Sequence, residues 1–336
     1  MQRNYSFDTL RTIAIILVLL LHISAEYVLY GKNRLELDTS FWIGNVINSM
    51  SRICVPLFIM ISGMFLIGRE ETWVDFYKNR ASRILWPLIF WTLIYLFYRT
   101  SSSFLGGQTI NINQLIKSVL CGTPFYHLWY LYMIIGLYLI TPILNKIISL
   151  LTKRTLWLLT LTFLLIGFFN SFYDDMIKKN VPFIFWFVSY LGYFMIGFLI
   201  KESRRNYSIP YLISVYFISS IIISILTFYS IKSYDSLYFY GYASPFVIIG
   251  SISIFKLFHQ LRLRENIFSK FSHLTLGIYL IHVGFLDVLG ISLRSFKIDL
   301  LNNPLIGIPA KFAIIFVLSI ISAWILSNMK YLKKII

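Results

Sequence analysis

The chain has 336 residues, 58% of them hydrophobic and only 13% charged, with a formal net charge of +16. A soluble domain carries about a quarter of its residues as charges, so a water-soluble globular fold is excluded. The nucleic-acid binding that so basic a balance suggests in a soluble protein is excluded with it, because Lys and Arg sit in short connections between apolar runs, where the positive-inside rule and anionic lipid headgroups place them.

Apolar runs of about 20 residues, the length of a bilayer-crossing helix, recur from end to end. They predict ten spans over 9–29, 43–67, 84–104, 125–145, 155–172, 183–200, 210–231, 244–259, 274–292 and 307–327. The fold class expected is all-α, a polytopic transmembrane bundle forming one membrane-embedded domain over 1–336. The first span carries Glu26 and polar residues at its end and no small-residue cleavage site, so it does not read as a removable signal peptide.

Ionisable groups inside spans are costly and mark function by default. In the first span Arg11 and His22 lie eleven residues apart, close to three turns, so they share a helix face with about 16 Å between them along the axis. Glu26 follows one turn beyond His22 on that face. A neutral imidazole can serve as general base; the plainer alternative is a histidine bonding a serine or a carbonyl in a helix interface. Asp8 reads as a cap-region carboxylate at the positive end of the helix. Arg52, in Ser51-Arg52-Ile53-Cys54-Val55-Pro56, is a charge in the second span that needs a partner. Glu26, in the outer half of the adjacent helix, is the candidate.

The connection from Arg69 to Arg83 ends in Arg80-x-x-Arg83, whose spacing places two guanidiniums on one face at the entrance to the third span. Such a pair suits a polyphosphate, although ordinary positive-inside charge explains it too. Ile110 to Leu120 is only half apolar and fits a short outer helix. At the fourth span, Phe125-Tyr126-His127-Leu128-Trp129-Tyr130 sets a histidine among aromatic rings, a combination suited to a sugar. His282 lies midway along the ninth span, while His259 and His273 sit in a basic connection and read as solvated. Cys54 and Cys121 belong to no metal-type spacing, and no metal site is expected.

Basic residues recur in alternate connections: Lys146, Lys153 and Arg154; Lys201, Arg204 and Arg205; Lys256, Arg262, Arg264 and Lys270; then Lys330, Lys333 and Lys334. The connection holding Asp174-Asp175 with Lys178-Lys179 is balanced. Both termini are therefore expected on the cytoplasmic side.

These motifs together resemble the acyltransferase family 3 membrane proteins, the surface-polysaccharide O-acyltransferases, over essentially the whole chain. The resemblance rests on Phe7-Asp8-Thr9-Leu10-Arg11 with ten residues before His22, on Arg80-x-x-Arg83, and on Arg52 through Pro56 to Ser62-Gly63. It rests also on His127-Leu128-Trp129-Tyr130 with Pro142, and on Gly277-Ile278-Tyr279-Leu280-Ile281-His282. It implies an acyl-CoA donor, usually acetyl-CoA, with no bound cofactor, and a glycan or lipid-linked sugar acceptor at the outer side of a bacterial cell membrane. It implies that Arg11 and His22 are essential and that Arg80 and Arg83 lie near the CoA phosphates. Some members carry a further extracytoplasmic hydrolase-like domain, which is not expected here; the stand-alone type is the nearer match. With the residue reading beside it, His22 is the expected catalytic base, oriented by Glu26. Arg11, Arg80 and Arg83 are expected on the donor, and Arg52, His127, Trp129, Tyr130 and His282 toward the acceptor. Direct transfer and an acyl-histidine intermediate are both open. A transporter or flippase for a lipid-linked glycan is the rival reading from another class.

Overall fold

The computed structural model describes residues 3–107, 109, 111–177, 182–297 and 302–336. Ile110 and the Lys178-Lys179 pair of the sequence reading lie outside these. Among the described residues the regular structure is helical: α1 (Tyr5–Arg34), α2 (Thr39–Ser51), α3 (Cys54–Leu66), α4 (Trp73–Leu105), α5 (Ile112–Leu120), α6 (Trp129–Ile148), α7 (Lys153–Ile177), α8 (Trp186–Lys201), α9 (Ile209–Tyr234), α10 (Pro245–Gln260), α11 (Ile267–Phe271), α12 (Thr275–Ser295) and α13 (Pro304–Asn328). Ten helical segments are long and apolar enough to cross a membrane, and each overlaps one predicted span.

Three departures from the predicted spans have local causes. The second span, Thr39–Leu66, breaks at Arg52-Ile53, close to its middle. Pro56 sits in the first turn of α3, where its missing N–H costs nothing, and Asp38 caps the start of α2 by accepting from the Phe41 amide. The third helix begins eleven residues before its apolar stretch, at Trp73, because Thr72 caps it by accepting from the Asp75 amide. Lys78, Arg80 and Arg83 therefore ride on helical turns. Lys256, expected in a connection, lies on α10 and is buried. The Ile110–Leu120 region does hold a short helix, α5; its nine residues rise only about 14 Å, too little to span.

Helix α1 is the hub of the bundle, packing on α2, α3, α10, α11, α12 and α13. The tightest crossing is α3 against α8, where glycines let backbones touch: a Cβ at Gly63 would lie 1.8 Å from the Phe194 carbonyl oxygen, and one at Gly197 would lie 1.9 Å from that of Met60. Small residues serve this purpose in membranes, where lipid gives apolar side chains no reason to prefer one another. Arg3 and Lys333 line one cavity, so both ends of the chain reach the same face of the bundle, called here the terminal face.

Candidate functional site

At the terminal face a cavity of about 1320 Å³ is lined by Arg3, Asp8, Arg11, Arg83, Lys333 and Lys334, together with Asn4, Phe65, Trp86, Ser272, His273 and Ile336. Five cations thus face one carboxylate. Asp8 is buried and organises two of them: Arg3 Nε donates to one carboxylate oxygen at 2.8 Å and an Arg11 guanidinium N–H to the other at 2.8 Å. The hydrogen bond to Asp8 raises the pKa of Arg3 above its ordinary value. A second N–H of Arg3 donates to the Ser269 carbonyl at 2.9 Å, holding it across α11. Asp8 does lie in the first turn of α1, as its reading as a cap-region carboxylate expected, and it also clamps the basic mouth; Asn4 is the N-cap.

The arginine pair splits. Arg83 lines the mouth. Arg80 instead forms a bidentate pair with Glu71, at 2.6 and 3.1 Å, and lies over the Phe76 ring. Glu71 also pairs with Arg69 at 3.4 Å, so Arg80 is engaged in tying down the connection before α4. Of the two guanidiniums expected in one anion site, Arg83 lines the mouth and Arg80 is held by a carboxylate nine residues away in sequence.

Inward from the mouth, a narrow throat of about 160 Å³ is lined by Arg11, Thr275 and Leu276, which it shares with the mouth, and by Val18, Val55, Phe58, Tyr130 and Tyr279. Beyond Tyr279, and one turn past Val18, three histidines meet. The rings of His22 and His282 are 5.3 Å apart and those of His127 and His282 are 5.7 Å apart, centroid to centroid. Aromatic rings collar them: Tyr126 lies 5.4 Å from His22, Tyr95 lies 4.9 Å from His127, and Tyr279 hydroxyl donates to the His127 carbonyl. Nδ1 of His282 lies 2.7 Å from the Tyr279 carbonyl and 3.2 Å from that of Ile278. A carbonyl only accepts, so the proton sits on Nδ1 and Nε2 carries the lone pair. Nε2 of His282 and both ring nitrogens of His127 are buried without a protein partner among the described residues, and buried polar atoms of that kind call for an explanation.

Toward the opposite face, a pocket of about 530 Å³ combines aromatic walls (Trp129, Trp186, Tyr190, Tyr240, Tyr242) with polar groups (Arg52, Asn170, Ser171, Asp174, Ser189). Trp129 stacks on Tyr242 at 5.8 Å. The break between α2 and α3 sets Arg52 on its wall. The guanidinium donates to Asn48 Oδ1 and, at 3.2 Å, to the Tyr240 carbonyl, and lies 4.0 Å from the centre of the Tyr240 ring. Asn48 in turn donates to the Leu21 carbonyl at 2.8 Å and to Ser24 at 3.0 Å, the positions flanking His22. Arg52 is thus coupled to the His22 turn of α1, though not through Glu26. The expected Glu26–Arg52 pair is corrected: Glu26 bonds Lys311 of α13 at 2.6 Å, an ammonium that the apolar run of the tenth span concealed.

The aromatic run before and into α6 divides three ways, with His127 in the histidine cluster, Trp129 in the opposite-face pocket and Tyr130 in the throat. Among the described residues, no group of three or more His, Cys, Asp or Glu is arranged to hold a metal ion, and Cys54 and Cys121 are free thiols, one buried and one exposed.

The family model of an acyltransferase domain, that of acyltransferase family 3, matches residues 4–328. The chain belongs to acyltransferase family 3. It is a multi-pass membrane protein by the length and apolarity of its helices, and the matched region takes in every helix described above. A curated amino-acid racemase from Enterococcus faecalis is 37% identical over 103 residues, 29% of this chain and 14% of the racemase, so the chain spans about one seventh of the length of that relative. No solved structure matches it.

Sequence reasoning passed over Arg3, Asp8, Tyr279, Asn48, Lys311, Lys333 and Lys334 as participants. Lys333 and Lys334 carried a signal, read only as topology. Tyr279 lay within the quoted Gly277–His282 motif. Asn48 and Lys311 were legible only as polar residues within apolar runs.

Proposed function

We propose that this acyltransferase takes its acyl group, as a rule acetyl, from acyl-CoA held at the terminal face, and delivers it to a hydroxyl of a glycan or lipid-linked sugar entering from the opposite face. The membrane is then a bacterial cell membrane with both termini cytoplasmic. The observation that carries the reading is the buried histidine cluster, with a basic mouth and throat on the Arg11 side of it and, on the other, an aromatic, polar pocket whose Arg52 is tied through Asn48 to the His22 turn.

The chemistry follows from that order. Cations at the mouth suit the CoA phosphates, and the throat admits an extended pantetheine arm past Arg11. Aromatic faces with amide, hydroxyl and carboxyl groups suit a sugar. His22 takes the proton of the attacking hydroxyl as its oxygen bonds to the thioester carbonyl carbon. The carbon–sulfur bond then breaks, and the imidazolium returns the proton to the departing thiolate of CoA. General base catalysis of this kind contributes about 10²–10⁴-fold. His282, its proton fixed on Nδ1 by backbone carbonyls, presents an acceptor nitrogen beside His22 and can receive the same proton. Glu26, bound to Lys311, serves by fixing α1 against α13.

The test is acyl transfer by the purified protein in lipid nanodiscs, with labelled acetyl-CoA and membrane glycan extract, followed by mass spectrometry of the glycan. His22→Ala should remove transfer while membrane insertion and thermal unfolding stay as in the wild type. Transfer that survives in His22→Ala ends the catalytic assignment. A wild-type protein that moves glycan across vesicles but never cleaves acetyl-CoA is a transporter, and the proposal fails.

A further inference from the structure

After α13 the chain does not trail into solvent. It bends at Met329, makes a 3-10 turn over Leu332–Lys334 and is tied back to the bundle. The Trp91 indole N–H of α4 donates to the Ile335 carbonyl at 2.8 Å, a buried hydrogen bond. Ile335 is itself buried, and Ile336 packs on Gly277 of α12, where an added Cβ would come within 3.2 Å of the Ile336 Cβ. Backbone bonds from Lys333 to Met329 and from Ile335 to Leu332, both 3.0 Å, stiffen the turn. The docked strap presents Lys333 and Lys334 to the mouth cavity, across from Arg3, Arg11 and Arg83.

We propose that this strap is part of the donor site, and that Lys333 and Lys334, with Arg3, hold the 3′-phosphate of CoA. The inference rests on the acyl-CoA reading above and assigns the phosphate to residues. Pantetheine joins CoA through the diphosphate, and the 3′-phosphate lies beyond it on the ribose. In the cavity, Arg11 stands where mouth and throat meet, whereas Arg3, Lys333 and Lys334 line the mouth alone. A guanidinium at the throat thus falls to the diphosphate, and the cations that line the mouth alone, Arg83 among them, fall to the side of the 3′-phosphate. A phosphomonoester carries close to two negative charges at pH 7, which two ammonium groups and a guanidinium complement. Lysines that only mark topology need no docked backbone; here a buried tryptophan bond fixes where they stand.

The same chemistry is offered by an anionic lipid headgroup, so the experiment separates the two sources. Binding of CoA and of 3′-dephospho-CoA is measured by titration calorimetry on the full-length protein, in nanodiscs of zwitterionic lipid and again with anionic lipid. The proteins compared are the wild type, Lys333→Gln/Lys334→Gln and Lys333→Arg/Lys334→Arg. The Gln pair should weaken CoA binding by about ten- to a hundredfold, the Arg pair should restore it, and the Gln pair should change 3′-dephospho-CoA binding by less than about threefold, since the group the lysines hold is gone. Trp91→Phe, which keeps a ring but releases the strap, should weaken CoA in the same selective way. Equal losses for both ligands, no loss at all, or a loss seen only with anionic lipid overturns the assignment. If the wild type binds CoA and the Gln pair binds it equally well, this inference alone fails; if the wild type binds no CoA, the donor reading fails with it.

Discussion

The Glu26–Lys311 pair joins two helices at 2.6 Å, yet its ends live in different media: the lysine side chain is 5% exposed and the glutamate 55%. Removing one partner is therefore not equivalent to removing the other. Glu26→Gln takes the carboxylate from a buried ammonium, leaving it an amide oxygen and the Tyr27 ring 5.2 Å away. Stranding a fully buried charge costs about 3–5 kcal/mol; water reaching the exposed end and the residual acceptor reduce this to about 2 kcal/mol. Lys311→Met leaves a carboxylate that water solvates and fills the lysine's volume with an apolar chain, so the loss should stay under about 1 kcal/mol. The double variant should resemble Lys311→Met alone, a coupling of about 2 kcal/mol, the whole cost of Glu26→Gln. The assay is reversible unfolding in mixed micelles at pH 7, with acyl transfer measured in parallel. Lys311→Met proving the more damaging change would refute the reasoning. The double variant also separates roles: if Glu26 orients His22, it folds but loses activity, and if the pair only docks α1 on α13, activity returns with stability.

Arg83→Ala should raise the donor KM about tenfold with little change in stability, whereas Arg80→Ala should leave the KM near its wild-type value and cost about 1–2 kcal/mol in unfolding, since it leaves Glu71 with the longer Arg69 contact; Michaelis curves and melting scans on both variants check this, and equal KM effects would contradict the split. Arg52→Lys should recover less than half of the acceptor kcat/KM, because an ammonium cannot reproduce a planar fork that donates to both Asn48 and the Tyr240 carbonyl; full activity would show that charge alone suffices there. Gly197→Ala should reduce folded yield by several-fold through a clash with the Met60 carbonyl, measured by size-exclusion of detergent extracts; wild-type yield would mean that α3 and α8 part easily.

Much of the architecture was legible because lipid imposes a simple rule: runs of about 20 apolar residues become spans. The rule is blind to what interrupts a span. The helix break at Arg52-Ile53 lies inside what mean hydropathy reads as a single span, and the start of α4 at Trp73 lies in a charged stretch, where a Thr72 cap outweighed hydropathy. At the site, the three-turn spacing of Arg11 and His22 did place one at the mouth and the other at the histidine cluster, since helix geometry translates sequence distance into space. Partner choice was not legible. Whether Arg52 meets Glu26 or Asn48, and whether Arg80 meets a ligand or Glu71, depends on which helices are neighbours and how they are rotated. Sequence spacing within one helix carries no such information, so Lys311, 285 residues from Glu26 along the chain, went unrecognised.

The glycine crossings restrict how the opposite-face pocket can open. Helix α8 touches α3 through Gly63 and Gly197, and it touches α7 on another side, where a Cβ at Gly167 would lie 2.4 Å from the Ser189 carbonyl oxygen. With no side-chain layer to shear, α3, α8 and α7 behave as a single slab carrying Asn170, Ser171, Trp186, Ser189 and Tyr190. On the proposed reading, any opening of the pocket then falls to the facing wall, the 237–243 connection that bears Tyr240 and Tyr242, and has to break the bond from the Tyr193 hydroxyl of α8 to the Tyr242 carbonyl. A cross-link between α7 and α8 should leave acceptor entry unaffected, while one between α8 and that connection should stop it.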